Sequence, residues 1–162
     1  MRASAPGSTS SPTNGAILRS NDRGKTWQRA DLPFRNGGNE PGRSLGERLA
    51  VDPNDGNVIL FGTRANGFWK SIDRGATWKR VDSFPAIAAS ESASTEGRWG
   101  RPLGIAFVHF DAQRHAIYAG VATKETSLYR STDGGETWSA IENQPIGLRP
   151  NHCAHASDGS LY

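Results

Sequence analysis

One eight-residue phrase occurs three times, as SNDRGKTW beginning at Ser20, SIDRGATW at Ser71 and STDGGETW at Ser131. Its tryptophans, Trp27, Trp78 and Trp138, lie 51 and then 60 residues apart. That spacing is close to the period of blade-like β repeats, in which each unit buries its apolar face only against its neighbours. A repeat of this kind restricts the fold more than any bulk property of the chain.

Each copy sits between two short strand-like segments. AILRS from Ala16, GFWKS from Gly67 and SLYRS from Ser127 precede the three copies, and TWQRAD, TWKRVD and TWSAIE begin at their final Thr-Trp. Strand, turn, strand is a hairpin. The turn letters have mechanical reasons: a short Asp side chain accepts hydrogen bonds from backbone N–H groups just ahead of it, and Gly enters the positive-φ region at little cost. Asp22, Asp73 and Asp133 are therefore turn builders, with Gly24, Gly75 and Gly135 as their partners, and Ser and Thr hydroxyls close further local bonds. Trp27, Trp78 and Trp138 are expected to wedge between neighbouring hairpins. Carboxylate catalysis or calcium binding is the competing reading of these boxes, but a residue repeated identically in every unit serves the unit.

Two more strands precede each later hairpin: LAVDP from Leu49 with VILFGT from Val58, and IAFVHF from Ile105 with AIYAGVA from Ala116. Each full unit is then a four-stranded antiparallel meander, one propeller blade. The expected fold class is all-β, an incomplete β-propeller of about three blades. Residues 1–15 read as a polar, disordered leader, 16–34 as part of a blade, 49–84 and 104–143 as full blades, and 154–162 as the start of the next. Closed propellers use roughly 4 to 8 blades, so such an arc leaves strand edges to be covered by further blades or by self-association.

The chain has 162 residues with 35% hydrophobic content, 19 Gly and 9 Pro, which suits many short strands joined by tight turns. No apolar run approaches the roughly 18 residues of a spanning helix, and no membrane partner is expected. The leader lacks the apolar centre of a secretory signal. The single cysteine, Cys153, excludes an intrachain disulfide and a cysteine-based zinc cage, and no helix or paired base beside it suggests an activated thiol. His109, His115, His152 and His155 include only one close pair, His152 and His155, so no metal site and no cofactor is expected. The net charge of +3 is spread among 16 acidic residues without a dense basic run, which argues against a nucleic-acid partner.

In a meander the loops alternate between the two ends of the blade, so function belongs at the end opposite the boxes. Two long, dissimilar segments join the blades there. RNGGNEPGRSLGER from Arg35 carries Arg43, Glu47 and Arg48; AIAASESASTEGRWGRP from Ala86 carries Arg98, Trp99 and Arg101. Aromatic faces and planar polar groups suit sugars, which stack on rings and take paired hydrogen bonds. Trp99, outside any repeat position, is the candidate platform, with a simple loop anchor as the equal alternative. Trp69 occupies the strand slot of Leu18 and Tyr129 and is assigned to packing. Glu47 and Arg48 could equally pair with each other or with a neighbouring blade.

Taken in order, "LPF", "GGN.PGR..GERLAVDP" and "GFWKS.DRGATWK.VDSFP" resemble the N-terminal propeller of glycoside hydrolase family 74, the xyloglucan-active endo-β-1,4-glucanases. The boxes alone are shared with sialidases, sortilin-like receptors and other propellers. The resemblance runs from about Asn14 to the C-terminus, more loosely through 86–103 and after Gly147. It implies two seven-bladed propellers around a cleft for a xylose-branched β-glucan, inverting hydrolysis by two Asp residues, and an extracellular site of action. Each catalytic Asp of the family stands shortly before Gly-Gly. The only such context here, at Asp133, lies inside the third box, so no catalytic residue is carried over.

Three functions follow as expectations. The chain is part of, or a truncated relative of, a xyloglucan endo-hydrolase and inactive alone; or it is a non-catalytic carbohydrate-binding or assembly module; or, least favoured, it is a sialidase, for which Tyr118, Tyr129 and Tyr162 offer no assignable nucleophile partner.

Overall fold

The computed structural model describes residues 15–34, 48–64, 66–85 and 104–162; the expected leader lies outside them. Ten strands are formed: β1 (Ala16–Arg19), β2 (Gln28–Asp31), β3 (Leu49–Val51), β4 (Ile59–Gly62), β5 (Phe68–Ser71), β6 (Lys79–Arg80), β7 (Ile105–Asp111), β8 (Ala116–Val121), β9 (Leu128–Ser131) and β10 (Ser139–Ala140). They make one two-stranded sheet, β1-β2, and two four-stranded sheets, β3-β4-β5-β6 and β7-β8-β9-β10. Every pairing is antiparallel and between chain neighbours. The all-β, partial-propeller expectation is borne out, and these sheets are called blades I, II and III below. Residues 154–162 close a small hairpin: His155 bridges Leu161, and Ala154 and Tyr162 exchange backbone hydrogen bonds of 3.0 and 2.8 Å.

The fourth strands are shorter than the motif suggests. β6 and β10 have two residues each. Val81 N–H still donates to the Phe68 carbonyl and Ile141 N–H to that of Leu128, but a turn follows at once, closed in blade II by Phe84 N–H on the Val81 carbonyl at 3.4 Å. The turn folds Phe84 inward, so strand length is traded for an apolar side chain in the core.

That core lies between blades II and III and comprises Leu60, Phe68, Phe84, Ile105, Val108, Ile117, Ala119, Val121 and Trp138. The Trp138 ring stands edge-on to Phe68 and Phe84, both at 5.1 Å, and is 9% exposed. It wedges between blades as expected. Trp78 is half-buried and meets Phe61 of its own sheet at 6.0 Å. Trp27 departs from the expectation, with 61% of its surface exposed: Trp138 has the preceding blade to enter, and no described sheet stands on that side of blade I. On the inner strands the blades approach so closely that a Cβ on Gly62 would lie 2.2 Å from Ile105 Cγ2. A glycine is required there by contact.

Candidate functional site

The box turns share one geometry. In blade II the Ser71 hydroxyl donates to Asp73 Oδ1 at 2.8 Å and accepts from Gly75 N–H at 2.8 Å. Asp73 Oδ1 also accepts from Thr77 N–H at 2.8 Å, and Oδ2 from the Thr77 hydroxyl at 2.6 Å. The same four bonds recur around Asp22 and Asp133. Gly24, Gly75 and Gly135 have φ of 85°, 80° and 88°, a region costly to any residue with a Cβ. The threonine hydroxyl and N–H, then the serine hydroxyl, hold the Asp22 and Asp73 carboxyls down to about 2; the same donors, from Thr137 and Ser131, lower that of Asp133. Such a carboxylate stays ionised at neutral pH, and its oxygens are occupied. It cannot serve as the proton donor of a glycosidase, which needs a raised pKa.

The opposite rim is bound by main-chain contacts. The Arg48 carbonyl accepts from Gly62 N–H at 2.8 Å, the Thr63 carbonyl from Ile105 N–H at 3.0 Å, and the Gly104 carbonyl from Ala122 N–H at 2.9 Å. The Thr63 hydroxyl donates to the Gly67 carbonyl at 2.7 Å and accepts from Asn66 N–H at 2.9 Å. Phe34 rests on the Trp69 ring at 4.7 Å, and Trp69 Nε1–H donates to the Asn66 carbonyl at 2.8 Å. Trp69 is thereby a packing residue joining blades I and II. Arg64 is buried at this rim. Phe34 and Arg48 flank one of the two long segments and Pro85 and Gly104 the other, so three of these four flanking residues are tied into the rim network.

A second polar group stands at the box end, between β7 and the 154–162 hairpin. Buried Asp111 accepts from the N–H groups of Gln113 and Arg114 at 3.0 and 3.1 Å and from Arg114 Nη1 at 3.3 Å. His155 Nε2 lies 3.2 Å from Asp111 Oδ1, and its Nδ1 is 2.7 Å from His109 Nε2. Burial pushes the Asp111 carboxyl up, but the Arg114 and Gln113 donors and the His155 charge outweigh it, and the net shift is downward. Sequence spacing pointed to His152 as the neighbour of His155; the partner is His109, 46 positions away. Only the seating of the hairpin against β7 brings them together, and no local pattern reports that. Among the described residues no group of three or more His, Cys, Asp or Glu is arranged to hold a metal ion. Burial raises the Cys153 thiol to about 11, which keeps it protonated and inert.

The Sortilin-Vps10 family model, described by sortilin and neurotensin receptor 3, matches residues 15–152. The chain belongs to this family. The chain is also 50% identical over 157 residues to a xyloglucanase of a Paenibacillus species, covering 92% of this chain and 15% of that protein. It is 49% identical over 159 residues to xyloglucanase Xgh74A of Acetivibrio thermocellus, covering 93% and 19%. The crystal structure of the glycoside hydrolase family 74 xyloglucanase from Xanthomonas campestris superposes with a TM-score of 0.81 at 52% identity, over 91% of this chain and 22% of that one. The resemblance to glycoside hydrolase family 74 read from the motifs is borne out. The chain spans about a fifth or less of the length of these relatives.

Of the rim residues proposed to line a family 74 cleft, Arg43, Glu47, Arg98, Trp99 and Arg101 lie outside the described residues. Arg48 is half-buried and already engaged, its carbonyl holding Gly62. The box residues are all described, and each has its place in the turn.

Proposed function

We propose that this chain is a segment of the N-terminal propeller of a xyloglucan-specific endo-β-1,4-glucanase, supplying scaffold and part of the cleft wall of an inverting glycoside hydrolase. Its substrate is a β-1,4-glucan backbone carrying xylose, an extracellular polysaccharide, so its place of action is outside the cell. The single observation that carries this reading is the half-identity to xyloglucanases sustained over nine-tenths of the chain. The site geometry supports a wall rather than a catalyst. The three box carboxylates are saturated by their own turns, and Asp111 is buried and held ionised by four donors. Hydrolysis with inversion needs an acid and a base about 6.5–9.5 Å apart across a water, and neither the box carboxylates nor Asp111 is free to act as either.

The assay is direct. Residues 1–162 are incubated with xyloglucan and new reducing ends are measured; the expected result is none, and turnover by the isolated chain overturns the reading. In the complete enzyme, Trp99→Ala is expected to weaken xyloglucan binding by about 1–3 kcal/mol through loss of ring stacking, read by calorimetric titration. Unchanged affinity removes Trp99 from the cleft wall.

A further inference from the structure

The turn between β4 and β5 is where both long inter-blade segments are tied down. Its Thr63 N–H and hydroxyl both donate to the Gly67 carbonyl, at 3.0 and 2.7 Å, and its Asn66 carbonyl holds the Trp69 indole on which Phe34 rests. Arg48, where the first segment rejoins the sheet, is held through its carbonyl by Gly62 N–H at 2.8 Å. Ile105, just past the second, donates its N–H to the Thr63 carbonyl at 3.0 Å. Gly104 presses on the turn itself: a Cβ there would collide with the Arg64 carbonyl.

The middle of this turn carries a side chain that the repeat does not require. Gly62 of β4 and Gly120 of β8 hold the same place, opposite Phe68 and Leu128 of the third strands, so Thr63 corresponds to Val121 and Arg64 to Ala122. Blade III fills both places with apolar residues: Val121 is buried in the main core, and Ala122 packs against the cluster of Ala106, Phe107 and Cys153. Arg64 is nonetheless only 4% exposed. A guanidinium is almost never buried to that degree unless paired, its five donors lie in a fixed planar fork, and Arg64 is engaged. A residue repeated in every blade serves the blade. A buried cation present in one blade serves what is particular to that blade, and blade II is the one on which both long segments converge.

We propose that Arg64 is a positioning residue for the glycan-binding rim: through the β4–β5 turn it fixes Arg48 and Gly104, and with them the directions in which the two long segments leave the sheets. Its guanidinium is buried beneath the rim and acts through those anchors, not by touching the polysaccharide. An apolar side chain of the same length leaves the backbone bonds of the turn in place but removes the fork that orients the turn. What the rim binds rests on the xyloglucanase reading above; the anchoring by Arg64 does not.

The test uses the complete enzyme of which this chain is a segment, and reads the rim in two ways. Tryptic cuts after Arg43, Arg98 and Arg101 are timed by mass spectrometry under native conditions, and xyloglucan hydrolysis is measured alongside. Arg64→Met should speed these cuts at least about fivefold, as the anchored ends open more often. It should also raise KM at least about tenfold with kcat within about twofold, the mark of lost binding rather than lost chemistry. Arg64→Lys, which keeps the charge without the planar fork, should fall between, and it carries the comparison if Arg64→Met does not fold. Gly134→Ala, at the box end, is the control for general loosening and should leave cutting and KM as they are. Unchanged cutting in the Arg64 variants, or shifts that Gly134→Ala matches, overturns the positioning role. Faster cutting with an unchanged KM overturns its place in the glycan-binding rim. If the unsubstituted enzyme leaves xyloglucan intact, the xyloglucanase reading falls, and the tryptic comparison still decides whether Arg64 positions the segments.

Discussion

Asp22, Asp73 and Asp133 show how far a single residue type can be read from its neighbours. Ser two positions before, Gly two after and Thr four after are the donors and the positive-φ step that an Asp-centred turn needs, and all three copies fold that way. A carboxyl held below its ordinary value stabilises the fold above the unfolded pKa, near 3.8, and the contribution is lost as pH falls to about 2. The thermal midpoint is therefore expected to drop between about pH 4 and pH 2, and to drop less steeply in Asp73→Asn; parallel profiles would remove Asp73 as a source. The residue after each box Asp is also in the positive-φ region, Arg23 and Arg74 at 60° and Gly134 at 73°. A Cβ on Gly134 meets nothing within 4 Å, so Gly134→Ala isolates the backbone cost. A loss of about 1 kcal/mol in denaturant titration is expected. The Asp111–His155–His109 chain, in contrast, joins residues whose only link is the docking of one blade on the next, and it left no trace in local spacing.

Strands were legible because alternation, Gly-containing turns and repeat spacing all agree, and each four-stranded meander follows the segments read from sequence. Their lengths were less so. The Thr-Trp segments suggested six-residue fourth strands, but β6 and β10 end after two because the next turn carries Phe84 or Gln144 back onto the sheet. Gln144 Oε1 accepts from Ser127 N–H and Leu128 N–H at 2.6 and 2.8 Å, so the two blades close the same corner by different chemistry. Between blades II and III, Gly62 of β4 packs tightly against Ile105 of β7. Gly62→Ala is expected to cost about 1–3 kcal/mol by overpacking, seen as a lower urea midpoint; an unchanged midpoint would mean that the inner strands can part without penalty.

At the scale of the molecule, what joins the blades was the least visible from sequence. Repeat position assigned one wedge role to three tryptophans, yet Trp138 is buried, Trp78 half-buried and Trp27 open, because burial depends on the blade that stands before each of them. The candidate cleft wall draws its residues from the two segments that differ between blades, where a repeat offers no guide. A clasp of cations joins the blades, Arg19 donating to the carbonyls of Asp73 and Arg74 and Lys70 to the Gly134 carbonyl and Glu136, and it offers a measurable handle on cooperativity. Lys70 is mostly buried in the interface, and Lys70→Met removes two charge-assisted bonds between blades II and III. Calorimetry of Lys70→Met should show a broadened transition with a van't Hoff enthalpy below the calorimetric one; a single sharp transition at the original ratio would show that the apolar core alone couples the blades.

The clasp also has a direction. The cation always comes from the earlier blade and the box from the later one, so on the ribosome the gripping side chain exists before the turn it will hold. Each emerging blade meets a finished template as growth proceeds from the N-terminal side. A circular permutant that begins with a box whose cation is synthesised last would have to fold against that order, and its yield in translation would suffer more than its stability once folded.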